Sequence, residues 1–213
     1  MAKAYLSKVY AWMALSLLVT AGVAYYCSQD AACLMWVCEH MVLVALSTFV
    51  IVLAMFFCTR FLTSGALAVL LMAYAGATGL LFGPLALFYT KQSLAQAFIC
   101  TAGTFGVMTV YGMYTKRDIS PWGRALFMGL IGLIIAMIVS IFFGGSTMNM
   151  IINIAGVVIF TLFTAYDTQM ILRQGLILRG DARAKGAVLG ALELYLDFIN
   201  LFLYLLRLLG DRK

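Results

Sequence analysis

A chain of 213 residues that is 65% hydrophobic and 10% charged is not a soluble globular domain, in which about a quarter of residues are charged. A membrane-crossing helix needs about 20 mostly apolar residues at about 1.5 Å of rise each. Seven such runs occupy most of the chain and leave no room for a separate soluble domain; the net charge of +6 is explained by basic residues in the connections and at the termini and calls for no nucleic acid.

The first run, 9–27, follows Lys3 and Lys8. Val19-Thr20-Ala21 would pass as a leader cleavage site, but the apolar stretch outlasts an ordinary leader core, so it is read as a retained span. Cys27, Cys33 and Cys38 follow; five cysteines make no disulfide framework, and the sequence leaves open whether these three pair. Cys38-Glu39-His40 fits no zinc-ligand spacing, and a single histidine argues against haem held by two. The second run, 42–59, ends at Arg60. The third, 65–89, carries Gly76, Gly79 and Gly83 before Pro84, which is expected to bend or end the helix. Gly79 and Gly83 form a small-xxx-small pair suited to close helix contact. The fourth run, 94–114, holds Gly103 and Gly106, and the fifth, 125–143, holds Gly129 and Gly132, all read as packing positions. Cys58 and Cys100 are read as buried small apolar residues. The runs do not alternate as barrel strands would. There is no phosphate-binding glycine loop, no lysine within a span and no internal repeat of the kind transporters show.

Basic residues set the expected orientation. Lys116, Arg117 and Arg124 lie between the fourth and fifth spans, and Arg173, Arg179, Arg183 and Lys185 between the sixth and seventh, whereas the alternate connections carry only Lys91. The N-terminus is therefore expected in the cytoplasm. Seven crossings would leave Arg207, Arg212 and Lys213 outside, so the last segment either crosses against the rule or re-enters and returns.

The sixth span, 150–172, and the seventh, 187–206, carry the polar residues. Gly186, Gly190, Glu193, Asp197, Asn200, Tyr204 and Arg207 are spaced 4, 3, 4, 3, 4 and 3 apart, which places them in one narrow stripe of a helix. A carboxylate facing lipid is costly, so the stripe must face protein or water. On the sixth span Asn149, Asn153, Gly156 and Asp167 fall roughly on one face, with Asp167 about two turns inside Arg173. A buried carboxylate and a guanidinium at similar depth are expected to pair, which points to Arg60. Counting depth along the helices puts Glu193 nearer Asp167 than Asp197, so either is a candidate neighbour. The asparagines are read as packing glue. Asp167 and Asp197 are read as functional, because an ionisable group is expensive where an amide would serve.

"TAYDTQMI" and "GALELYLDFINLFLYLLRLLGDRK", with "VYAWMALSLLVTAGVAYY", "TKRDIS" and "MGLIGLIIAMIVSIFFGGS", resemble the Bax inhibitor-1 (TMBIM) family in its bacterial YccA-like branch. The similarity covers nearly the whole chain. It implies one all-α seven-helix transmembrane domain, 1–213, with the last helix central, in a bacterial inner membrane. It also implies a pH-sensitive calcium leak in which Asp167 and Asp197 hydrogen-bond as the sensor and Arg60 latches to one of them. Some members carry an acidic residue within the second helix, where 42–59 has none.

On this reading calcium is the permeant ion. Asp167 and Asp197 offer it a weak, transient oxygen site, Glu193 and Asn200 are candidates for its path, and no resident cofactor is needed. Flux is expected to rise as the pH falls. The competing reading is an interaction protein that restrains a membrane-bound quality-control protease or a cell-death pathway through its termini or basic loops. Paired aspartates also suit an intramembrane protease. But Leu194-Tyr195-Leu196-Asp197 stands where that family has Gly-x-Gly-Asp, and no enzymatic activity is expected.

Overall fold

The computed structural model describes residues 2–211, and its regular elements are all helices: α1 (Ala2–Gln29), α2 (Ala31–Glu39), α3 (Met41–Phe57), α4 (Ser64–Phe82), α5 (Leu85–Phe88), α6 (Lys91–Tyr114), α7 (Trp122–Phe143), α8 (Ser146–Ile177) and α9 (Gly180–Leu209). Six of them are long and apolar enough to cross a membrane, and the bent pair α2–α3 makes a seventh if counted as one span. The protein is an all-α, multi-pass membrane protein.

Local chemistry sets the breaks. The Asp30 carboxylate accepts the Ala32 N–H at 3.0 Å and starts α2, and Thr63 Oγ1 accepts the Ala66 N–H at 3.2 Å and starts α4, as side-chain oxygens at helix starts do. Pro84, which has no N–H to continue the ladder, separates α4 from α5 as expected.

Helix α2 was not foreseen. Its nine residues meet α3 at a bend of 77°. Helix α3 alone, with 17 residues, rises about 26 Å, somewhat short of the roughly 30 Å hydrocarbon layer. At the bend His40 Nδ1 lies 2.9 Å from the Trp36 carbonyl oxygen, and its ring stacks on that of Trp36. His40 caps the end of α2 and the start of α3.

The chain forms two compact units, residues 2–90 with 174–195, and residues 91–173 with 196–211. In the first, α1 packs along α4. A Cβ on Gly79 would lie 2.7 Å from the Thr20 carbonyl oxygen and 2.8 Å from Val23 Cβ, and one on Gly83 would meet Cys27 Sγ at 2.6 Å, so the small-xxx-small pair marks a real close approach. A hydroxyl cluster ties the same helices. Thr20 Oγ1 lies 2.9 Å from the Ala75 carbonyl oxygen and 2.6 Å from the Tyr195 hydroxyl, and the Tyr74 and Tyr195 rings meet edge to face.

In the second unit α6 comes close to α8 at Gly112, where a Cβ would lie 2.5 Å from the Ala165 carbonyl oxygen. Tyr204 packs over Gly156 and stacks on Phe160. Gly103, Gly106 and Gly132 were expected at such contacts, but nothing comes within 4 Å of where their Cβ would be. They sit on outward faces, where lipid accepts a glycine as readily as a larger side chain. For the same reason Cys58 and Cys100 are exposed rather than buried.

Helix α9 is the most buried span: 67% of its apolar window is buried, against 11% for α7. That is the place a polar stripe requires. It is one unbroken helix, so the last segment does not re-enter. Within the second unit the Asp211 N–H donates to Ser93 Oγ at 3.0 Å, at the start of α6. The segment after the other end of α6 is bonded to Gln169 of α8. The end of α9 and the basic segment 116–117 therefore lie at opposite ends of this unit, with Arg207 opposite Arg173. Arg212 and Lys213, named in the same orientation argument, lie outside the described residues.

Candidate functional site

The centre of interest is where α8 meets the second half of α9. The side chains of Asp167 and Asp197 hydrogen-bond to each other. Asp197 is 4% exposed and Asp167 is half-buried. The surroundings are apolar or turned inward. Phe198 packs edge to face against Phe98 and Phe105 of α6. The Thr164 and Thr168 hydroxyls donate to carbonyls of their own helix, at 2.9 and 2.7 Å. A hydrogen bond between two carboxyl groups needs a proton between them, so the contact is a protonation-dependent link between two helices.

Asn200, half-buried, donates from its amide to the Leu196 carbonyl of its own helix at 2.8 Å. Glu193 belongs to the first unit and lies close enough to Tyr5 to interact with its hydroxyl electrostatically. Counting depth left Glu193 and Asp197 open as neighbours of Asp167; the hydrogen bond is made with Asp197. Arg60 is exposed in the turn after α3 and makes no ion pair or hydrogen bond among the described residues. Among those residues there is no group of three or more His, Cys, Asp or Glu that could hold a metal.

Sequence reading missed a clamp that begins two residues on from Asp167. Gln169, itself buried, accepts the Ile119 N–H on Oε1 at 3.0 Å and donates from Nε2 to the Arg117 carbonyl at 2.9 Å. One turn on, Arg173 bonds Asp118 at 2.7 Å and also reaches the Ser120 hydroxyl. The α6–α7 connection is thereby bolted to α8. The backbone N–H of Ser120, its hydroxyl and the Arg173 guanidinium hold the Asp118 carboxyl at about 2, below the usual carboxylate range. The spacing of Gln169 and Arg173, one turn apart at a helix end, was the available signal.

Comparison with known proteins agrees with this architecture. The family model described as "Inhibitor of apoptosis-promoting Bax1" matches residues 2–213. The chain is 40% identical over 219 residues to "Inner membrane protein YbhL" of Escherichia coli (strain K12), covering 98% of this chain and 92% of that protein. It is 36% identical over 211 residues to an uncharacterized protein of Deinococcus radiodurans, covering 99% and 91% of the two chains. It is 40% identical over 214 residues to one of Borreliella burgdorferi, covering 98% and 92%. With a helical bundle whose last helix is its most buried span, and a family match along its whole described length, the chain belongs to the Bax inhibitor-1 family.

Proposed function

We propose that this protein is a proton-gated calcium leak of a bacterial inner membrane, with its N-terminus in the cytoplasm and the pair Asp167–Asp197 as its gate. The observation that carries the reading is the hydrogen bond between those two carboxyl groups, made between two apolar helices where ionisable groups are costly and are kept for function. The family match and a relative named as an inner membrane protein support the setting.

With one shared proton the link is a charge-assisted O–H···O⁻ bond, about twice as strong as a neutral one. A second proton replaces it with a neutral bond, loosens α8 from α9 and opens the path. Coupled carboxyl groups take up their two protons in well-separated steps. Flux therefore rises as the pH falls from about 8 to about 6. Calcium takes six to eight oxygen ligands, and two carboxyl groups supply a small part of that shell. The ion is passed on rather than kept, as conduction requires. Arg60, Glu193 and Asn200 are given no part in the gate.

The test is calcium flux into proteoliposomes of the purified full chain, with no partner present, over a pH series. Wild type should leak faster in acid. Asp167→Ala and Asp197→Ala, which remove the link, should leak at or above the wild-type acid rate at every pH. No flux above empty liposomes would overturn the leak itself. Flux in wild type with silence in both variants would show that the carboxylates are ion ligands and not a latch.

A further inference from the structure

A second candidate site lies in the first unit. The first turns of α1 and α9 enclose a cleft of ≈ 250 Å³ lined by Ala4, Tyr5, Lys8, Gly180, Arg183 and Ala184. Two of the six are cations and none is an acid. We propose that this cleft binds a phosphate group.

Three features of the cleft suit that ligand. First, Lys8 is exposed and has no acidic partner among the described residues, so its charge is uncompensated at the cleft mouth. Second, Arg183 is held in place: Nη1 donates to the Gly175 carbonyl at 2.9 Å, and the guanidinium lies 5.0 Å from the centre of the Tyr5 ring. Its position is preorganised, so little ordering cost remains when an anion arrives. Third, the cleft wall includes Gly180, the first residue of a 30-residue helix. The first N–H groups of a helix have no partner within it, and they favour an anion.

Two carboxylates bear on the cleft from outside its lining: Asp181, paired with Lys185 at 3.1 Å, and Glu193, whose charge acts on Tyr5 as the Arg183 guanidinium does; the uncompensated charge is that of Lys8. Tyr5 forms the floor; its hydroxyl is buried beneath Gly186. Two sources could supply the phosphate. Basic pockets between helix ends of membrane proteins hold acidic lipid headgroups, and free phosphate offers the same chemistry.

The experiment titrates the purified full chain in neutral detergent with a short-chain phosphatidylglycerol, a short-chain phosphatidylcholine and inorganic phosphate in separate arms at constant ionic strength, reading bound ligand by native mass spectrometry and calorimetry. The variant is Lys8→Glu, on an exposed side chain whose replacement leaves the packing intact. The control is Lys91→Glu, exposed in the other unit. Wild type and Lys91→Glu should bind phosphatidylglycerol or phosphate alike, and Lys8→Glu at least about tenfold more weakly. Loss in the phosphatidylglycerol arm alone assigns the site to a lipid headgroup, and loss in the phosphate arm assigns it to a soluble ligand. Binding that is equal in all three proteins, absent throughout, or weakened as much by Lys91→Glu overturns the proposal.

Discussion

The hydroxyl cluster around Tyr195 and the carboxyl pair at Asp197 draw their α9 members from positions two residues apart, yet only the second is built from groups that ionise below neutral pH. In the first unit Thr20, Tyr195 and the Ala75 carbonyl close a hydrogen-bonded set that keeps its protons over the working range, since tyrosine ionises near pH 10. In the second unit the Asp167–Asp197 bond exists only while a proton is shared. Both tie helices inside an apolar bundle, and a hydroxyl cluster would have served either place as glue. That a costlier pair stands in one of them is the argument that this place has a task beyond holding the bundle together.

The sharpest break of the comparison is to make the second place resemble the first. Asp167→Thr with Asp197→Tyr replaces ionisable link groups by hydroxyls. Flux into proteoliposomes should lose its pH dependence altogether.

Next in size are changes to packing alone. Gly79→Ala drives a Cβ against the Thr20 carbonyl, a backbone atom that cannot turn aside. Unfolding in mixed micelles should show a loss of about 2 kcal/mol, with the pH profile of flux unchanged in shape.

Smaller still is the loss of the neutral cluster's bond. Tyr195→Phe should cost about 0.6 kcal/mol, and a double-mutant cycle with Thr20→Val should assign most of that to the pair. A larger coupling, or any shift in the flux profile, would mean that the two polar sites are not of different kinds.

The smallest effect is expected at the clamp. Asp118 is held at about 2 by Ser120 and Arg173. A carboxyl depressed on folding contributes its stability above the unfolded value of 3.8 and loses it as the pH falls through about 2. Its protonation state therefore does not change between pH 8 and 6. Asp118→Asn should leave the flux profile where it is, as the same proteoliposome series would show. A displaced profile would make the α6–α7 connection part of the gate.

Much of the fold was legible because lipid imposes it: a run of about 20 apolar residues has few other uses, and the 3–4 spacing from Gly186 to Arg207 fixes an inward stripe on the last helix. Asp197, Gly190 and Tyr204 are buried accordingly. Helix α2 was not legible, since nine residues, eight of them apolar before Glu39, are too few for a span and have no polar face to mark them. The glycines show the same limit: Gly79 and Gly103 look alike in sequence, and only packing separates the close contact from the outward face. Within the site, the spacing singled out Asp167 and Asp197 as costly. Their pairing was not derivable, because counting depth assumes helices that run level with each other. The Asp118–Arg173 bond spans 55 residues between exposed charges, and nothing local distinguishes that aspartate from the others.

The central claim, that proton binding at the aspartate pair sets the flux, is tested most directly by infrared spectroscopy of the protein in lipid, titrated from pH 8 to 6 beside the flux series. The carboxylic-acid carbonyl band of wild type should grow with the same midpoint as the calcium flux. Asp167→Asn and Asp197→Asn should each shift or abolish that growth. A band that does not change over this range, or one that persists unaltered in both variants, would contradict the account.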